Sequence, residues 1–240
     1  MKKVSFLSML LVFGLLSTTM GQEADKILEK HFKAMGQETL LKVKTVQATG
    51  TASMMGMTTG FEMKAKRPNK VHVKIDIQGM TIVQAFDGET AWMINPMMGS
   101  STPQAVTGPE AQTLKDQANL DGQLWNYKEK GSTLELEGSE SLGGKDAHVL
   151  KLTRSNGNVE RYFIDKESNL LVMVRVTAPV NGSPTTMETH LSDYKDFDGY
   201  KMPMITQQKM GGQTVTTITM TDVKINDPVE DSVFSMSSGS

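Results

Sequence analysis

The stretch that decides the fold is Arg67–Pro96, RPNKVHVKIDIQGMTIVQAFDGETAWMINP. Apolar residues alternate through Val71, Val73, Ile75 and Ile77. The chain turns at Gln78-Gly79, and alternation restarts at Met80, Ile82 and Phe86. A second turn at Asp87-Gly88 leads through Trp92 and Ile94 to Pro96. Period-two alternation bounded by Gly-containing turns predicts a meander of three strands. One side of that meander is apolar, and it must cover either a packed core or a ligand.

Working outward, Thr59–Lys66 alternates in the same way, with Phe61, Met63 and Ala65 on one face and Glu62, Lys64 and Lys66 on the other. One apolar and one charged face marks an antiparallel sheet with a wet side. Thr45–Met54 is a Thr- and Val-rich strand before it. Further strands are predicted at Thr133–Gly138, Ala147–Thr153, Val159–Asp165, Leu170–Ala178, Thr185–Phe197, Tyr200–Met210 and Thr214–Ile225. The total from Val43 onward is about eleven, nearly all joined by hairpin-length turns. The spacing of Ala24, Ile27, Leu28, His31, Phe32 and Met35 predicts a helix over Glu23–Met35, stopped by Gly36. Asn95–Gly108 reads as a loop, and Pro109–Leu120 as a second helix with Ala111, Leu114 and Ala118 on one side. This insertion reads either as a lid or binding loop, with the Met97-Met98 pair exposed on it, or as a helix that plugs one side of the sheet.

The N-terminus has a basic start at Lys2-Lys3, an apolar run over Val4–Leu16 and small polar residues before Gly21. It is expected to be a secretory signal peptide over residues 1–21, its apolar run being shorter than the roughly 20 residues that a membrane span needs. A single domain over residues 22–240 would follow, in the periplasm. Without Lys2 and Lys3 the chain has 23 basic against 27 acidic residues, a balance that gives no reason to expect nucleic acid or an anionic surface as partner. There is no Cys, hence no disulfide, thiol nucleophile or thiolate metal site. Methionine is abundant, 19 in all, and reads equally well as gap-filling in a loose core or as ligand lining.

No chemistry announces itself. The four histidines, His31, His72, His148 and His190, are scattered, and no P-loop, nucleophile-elbow or dinucleotide-binding glycine pattern occurs. No metal, cofactor or catalytic residue is expected, although a hydrolase whose residues converge only in three dimensions stays open. The informative constellation is apolar: Phe61, Met63, Val73, Ile75, Met80, Ile82, Phe86, Trp92, Met93 and Ile94. Two helices are too few to cover the apolar side of about eleven strands. Either the sheet closes on itself or a groove remains; a groove for an apolar ligand is expected, lined by these residues other than Met93, with Met97, Met98 and Leu114 on its lid or loop.

The segments ADKILEKHFKAMG, TVQATGTASM, FEMKAKRPNKVHVK, QAFDGETAWMINP, YFIDKESNLLV, YKDFDGYKMP and VKINDPVEDSVF, in that order, resemble the LolA-like outer-membrane lipoprotein-sorting proteins. The likeness extends over essentially the whole chain after residue 21. The resemblance implies a mostly β (α+β) fold: a curved antiparallel half-barrel of about eleven strands with helices over its concave face. It implies a non-enzymatic monomeric periplasmic carrier that binds the acyl chains of lipoproteins, or other lipids. Such a carrier receives cargo from an inner-membrane transporter and passes it to an outer-membrane acceptor. The same fold also serves as a sensor or scaffold that binds a protein partner. The resemblance assigns no gating residue here.

Overall fold

A computed structural model describes residues 8–54, 56–180 and 183–236, and the side chains among them from residue 21 onward except 179 and 180. The described chain forms α1 (Ser8–Met35), α2 (Gln37–Leu40), β1 (Thr45–Met54), β2 (Met57–Lys66), β3 (Lys70–Ile77), β4 (Met80–Phe86), β5 (Ala91–Asn95), β6 (Ser100–Ala105) and α3 (Gly108–Ala118). It continues with β7 (Thr133–Leu142), β8 (Lys145–Thr153), β9 (Val159–Asp165), β10 (Leu171–Val180), β11 (Ser183–Phe197), β12 (Tyr200–Met210) and β13 (Gln213–Ile225). The strands hydrogen-bond in the order β6-β5-β4-β3-β2-β1-β13-β12-β11-β10-β9-β8-β7. The fold is thus mostly β, an open antiparallel sheet with helices, and the described residues form thirteen strands where about eleven were expected.

The extra strand β6 lies in the stretch read as a loop. Its sequence SSTPQA has no apolar alternation and contains Pro103, which cannot donate to a ladder. As the edge strand it needs only one neighbour, and it pairs with β5. α1 begins at Ser8 rather than Glu23, so residues on both sides of Gly21 belong to one helix. No helix among the described residues is long and apolar enough to cross a membrane. The helix stops where expected: Gly36 takes φ 76°, the left-handed region that favours glycine.

The chain divides into two compact units, residues 1–35 with 126–187, and residues 36–125 with 188–240, with the boundary inside β11. In the first unit α1 packs against β7 and buries Ala24, Ile27 and Leu28. Register pairs Leu134 with Leu152, and Leu150 with Tyr162, on one face. Ala147, Val149, Phe163 and Met173 form a buried cluster on the other. Arg175 lies 4.6 Å above the Phe163 ring and is held there by a two-pronged bond to Glu140 at 2.9 and 3.0 Å. A charged side chain thus covers apolar surface with its own plane.

Two polar side chains tie down α1. His31 is 5% exposed, and its Nδ1–H donates to the Asn169 carbonyl at 2.9 Å. Burial lowers the pKa of His31, outweighing the opposite pull of that bond, and so favours the neutral ring in the fold. Asp25 accepts from Tyr127 Oη and Lys128 Nζ, both at 2.8 Å. Burial works to raise the Asp25 carboxyl, but these two donors hold it below its usual range.

Two tests follow from this packing. A Cβ added at Gly36 would lie 1.8 Å from the Gly199 carbonyl oxygen, so Gly36→Ala combines a clash with a left-handed backbone. It should cost on the order of 1–3 kcal/mol, read as a lower thermal midpoint. The depressed His31 pKa makes the unfolded chain bind more protons below about pH 6.5. Stability should therefore be full above that pH and fall as pH drops through the window beneath it. His31→Gln, which keeps a donor for Asn169, should flatten the fall, although His72 and His148 are depressed in the same direction and contribute the rest.

Candidate functional site: an apolar, methionine-lined face

Residues paired directly across antiparallel strands point to the same face. Phe61 pairs with Ile75 and Ile75 with Ile82. Met63 pairs with Val73, Val73 with Gln84, and Gln84 with Met93. Val71 pairs with Phe86, and Ile77 with Met80. Phe61, Met63, Val73, Ile75, Met80, Ile82 and Phe86 therefore share one face of the second unit, as the sequence reading placed them. That this face lines a lipid cavity is taken up below.

Trp92 and Ile94 do not join them. Trp92 pairs with Ala85, and Ile94 with Val83, which puts both on the opposite face. The cause is the turn. Asp87 Oδ1 accepts from the backbone of Glu89 at 2.9 Å and Thr90 at 2.7 Å, and Asp87 N–H donates to the Thr90 carbonyl at 3.2 Å. That closed turn sets Ala91 opposite Phe86, and one residue of register flips a side chain to the other side. Trp92 is 5% exposed, stands edge-on to His72 at 6.3 Å, and donates Nε1–H to the Phe234 carbonyl at 2.8 Å. It anchors the C-terminal segment, whose Phe234 is fully buried, and is core rather than cavity wall.

Two plugs cover part of the apolar face. Ala111, Leu114 and Ala118 of α3 pack on Val71, Phe86 and Ala91, with Met63 and Val73 at the margin. Leu114 is 2% exposed, so α3 is seated core at this point rather than a free lid. Leu40, Val43 and Val46 pack with Leu120, Tyr200, Met202, Val223 and Ile225. Burial pushes the Tyr200 hydroxyl up to about 12, and the negative charge of Asp121 adds to it. Arg67 joins the plugs to the strand ends. Its guanidinium grips both Asp121 carboxylate oxygens at 2.5 and 2.9 Å and donates to the Leu40 and Val43 carbonyls at 2.9 and 2.6 Å.

Beyond the plugs the face stays half-buried at Ile75, Ile77, Met80, Ile82 and Met93. Methionine is concentrated on it. Met63, Met80 and Met93 stand on it, Met220 pairs with Gly50 beside Phe61, and Met202 and Met204 continue it on β12. The periodicity held this signal, but only pairing across strands could bring methionines from distant segments to one surface. The buried Asn95 Oδ1 has no hydrogen-bond partner. A small open groove of about 350 Å³ flanks α3, lined by Ala91, Ala105, Val106, Ala111 and Lys115. Met97 and Met98 sit on a short 3-10 turn, 53% and 78% exposed.

His72 and His148 have their pKa lowered, chiefly by burial, and no three His, Asp or Glu among the described residues gather to hold a metal ion. On this geometry Trp92→Asp should unfold the second unit by placing a charge in its core, costing several kcal/mol. The milder Trp92→Phe should cost about 1–2 kcal/mol for the lost bond to Phe234 and leave apolar-ligand binding unchanged. Chemical denaturation checks the first effect, and a fluorescent fatty-acid titration the second.

Comparison with solved structures places this arrangement. A LolA superfamily protein from Nitrosomonas europaea superposes with a TM-score of 0.60 at 17% identity, covering 88% of this chain and 97% of that one. A putative outer membrane lipoprotein-sorting protein domain from Vibrio parahaemolyticus gives 0.61 at 14% identity, covering 88% and 97%. A DUF1329 family protein from Desulfovibrio piger gives 0.59 at 12% identity, covering 86% and 96%. No curated protein matches by sequence. A family model described as "-like: Uncharacterized protein" matches residues 80–238. The fold is LolA-like, and the chain belongs to the family of that model.

Proposed function

We propose that the protein is a non-enzymatic periplasmic carrier that holds the acyl chains of lipoproteins, or other lipids, against the methionine-lined face for transfer to the outer membrane. One observation carries the reading: Ile75, Ile77, Met80, Ile82 and Met93 form apolar surface that the α2 and α3 plugs leave half-buried. Half-buried apolar surface of this kind suits an apolar ligand. Methionine is unbranched and polarizable, so a wall rich in it adapts to chains of different shape. In this reading Phe61, Met63 and Val73 form the floor, and Phe86 and Leu114 fix the helix that bounds the groove. Cargo would arrive from an inner-membrane transporter and leave to an outer-membrane acceptor.

The wall sets a quantitative expectation. Each buried CH₂ contributes roughly 0.8 kcal/mol, so shortening a bound fatty acid by two carbons should weaken binding by roughly tenfold. Ile82→Asp should weaken it by a similar factor or more, since a charge would stand in the groove. Extraction of the purified protein followed by lipid mass spectrometry, with a fluorescent fatty-acid titration, tests the reading. A reproducibly empty protein that also rejects the fatty acid would sink it. Recovery of a protein partner by such an empty protein would favour a sensor or scaffold instead.

A further inference from the structure

Register places four chain reversals of the second unit at one end of its strands. They are the connections β1–β2, β3–β4, β5–β6 and β12–β13. Each carries methionine: Met54 and Met57 on the first, Met80 on the second, Met97 and Met98 on the third, Met210 on the fourth. Five of these are exposed, from 40% at Met54 to 78% at Met98, and Met80 is half-buried. Gln78 Nε2 donates to Met57 Sδ at 3.5 Å, which ties the first reversal to the second.

Charge is absent from this end. Residues 54–57, 77–80, 95–99 and 210–213 include no Asp, Glu, Lys or Arg, and the first charges below them are Asp76 and Lys209. Asp76 is already paired, with Lys74 at 3.5 Å. At the other end of the same strands the connections carry Lys66, Arg67, Lys70, Asp87, Glu89, Asp198 and Asp227. Strand ends facing water normally carry charge and polar turn residues. An uncharged rim of long, flexible apolar side chains is the opposite, and it is polarised along one axis of the sheet.

We propose that this methionine rim docks on a lipid surface, with the hairpin tips seated in the boundary between headgroups and acyl chains. The rim has no cationic cluster, so it needs no anionic lipid. Its methionines sit on separate hairpin tips rather than along one continuous groove of the kind a partner helix occupies. The apolar stripe of Ile77, Met80 and Ile82 runs up to the rim, so a ligand on that face would meet the bilayer without crossing a charged border. The proposal goes beyond the cargo reading and does not need the face to be loaded.

The chain has no cysteine, so single labels can be placed cleanly. Met98→Cys carries an environment-sensitive fluorophore at the rim, and Glu89→Cys carries the same dye at the opposite strand end. With vesicles of phosphatidylcholine alone, the rim label should shift to the blue and be quenched at least twofold by nitroxide-labelled lipid, unaffected by 0.5 M salt. The Glu89 label should do neither. Replacing Met54, Met57 and Met210 together by Ser should lower vesicle binding about tenfold. The thermal midpoint and the fatty-acid titration should not change, which separates failure here from failure of the carrier reading. Equal response of both labels, no response of either, dependence on anionic lipid, or a rim shift that tracks protein concentration without vesicles would each overturn the proposal.

Discussion

Strand alternation is the constraint on which the second unit depends, and hairpin turns are what set its phase. A side chain in a strand can face only two ways, and the turn before it decides which. The Asp87 turn, closed by its carboxylate and its backbone, makes Ala91 the partner of Phe86. Small Ala91 then faces Leu114 of α3, where a Trp would have no room, and Trp92 goes to the far side to bond Phe234. A loop one residue longer or shorter would exchange the two and disrupt both packings.

The helices and the sheet share the apolar face unevenly. Leu114 is fully buried among Val71, Phe86 and Ala91, and substitutions at such a site typically cost 2–5 kcal/mol. The Leu40–Val43 plug has the same character, and Arg67 binds the two by bonding main-chain carbonyls and Asp121 at once. A part-buried two-pronged guanidinium bond is stronger than the exposed lysine pairs elsewhere on the sheet. Stability is therefore concentrated at one end of the strands. The other end of the face is free of that duty, and it is where half-buried isoleucines and methionines collect.

Glycine shows how close the packing is. Gly50 sits where β1 and β13 slip register, and a Cβ there would lie 2.0 Å from the Thr219 carbonyl oxygen and 2.9 Å from the Phe61 ring. Phe61 fills the space that the missing side chain leaves. The bulge and the aromatic ring are thus one device, which lets the strand bend while its surface stays apolar.

The sequence by itself determined the mostly β class, the hairpin order, the wet and apolar faces of β2 and β3, and the stop of α1 at Gly36. These are local properties: alternation, turn residues and backbone freedom at glycine. It also singled out seven residues that do share a face. It could not set the phase across the Asp87 turn, so it put Trp92 and Ile94 with them. It could not find β6, whose edge position relieves it of any apolar pattern, nor tell that Leu114 is seated core. The meaning of the methionines was equally out of reach, because Met63, Met80, Met93, Met204 and Met220 become neighbours only through pairing of strands far apart in the chain. Which surface a side chain joins is decided by hydrogen-bond register between strands, and register is a property of the folded sheet.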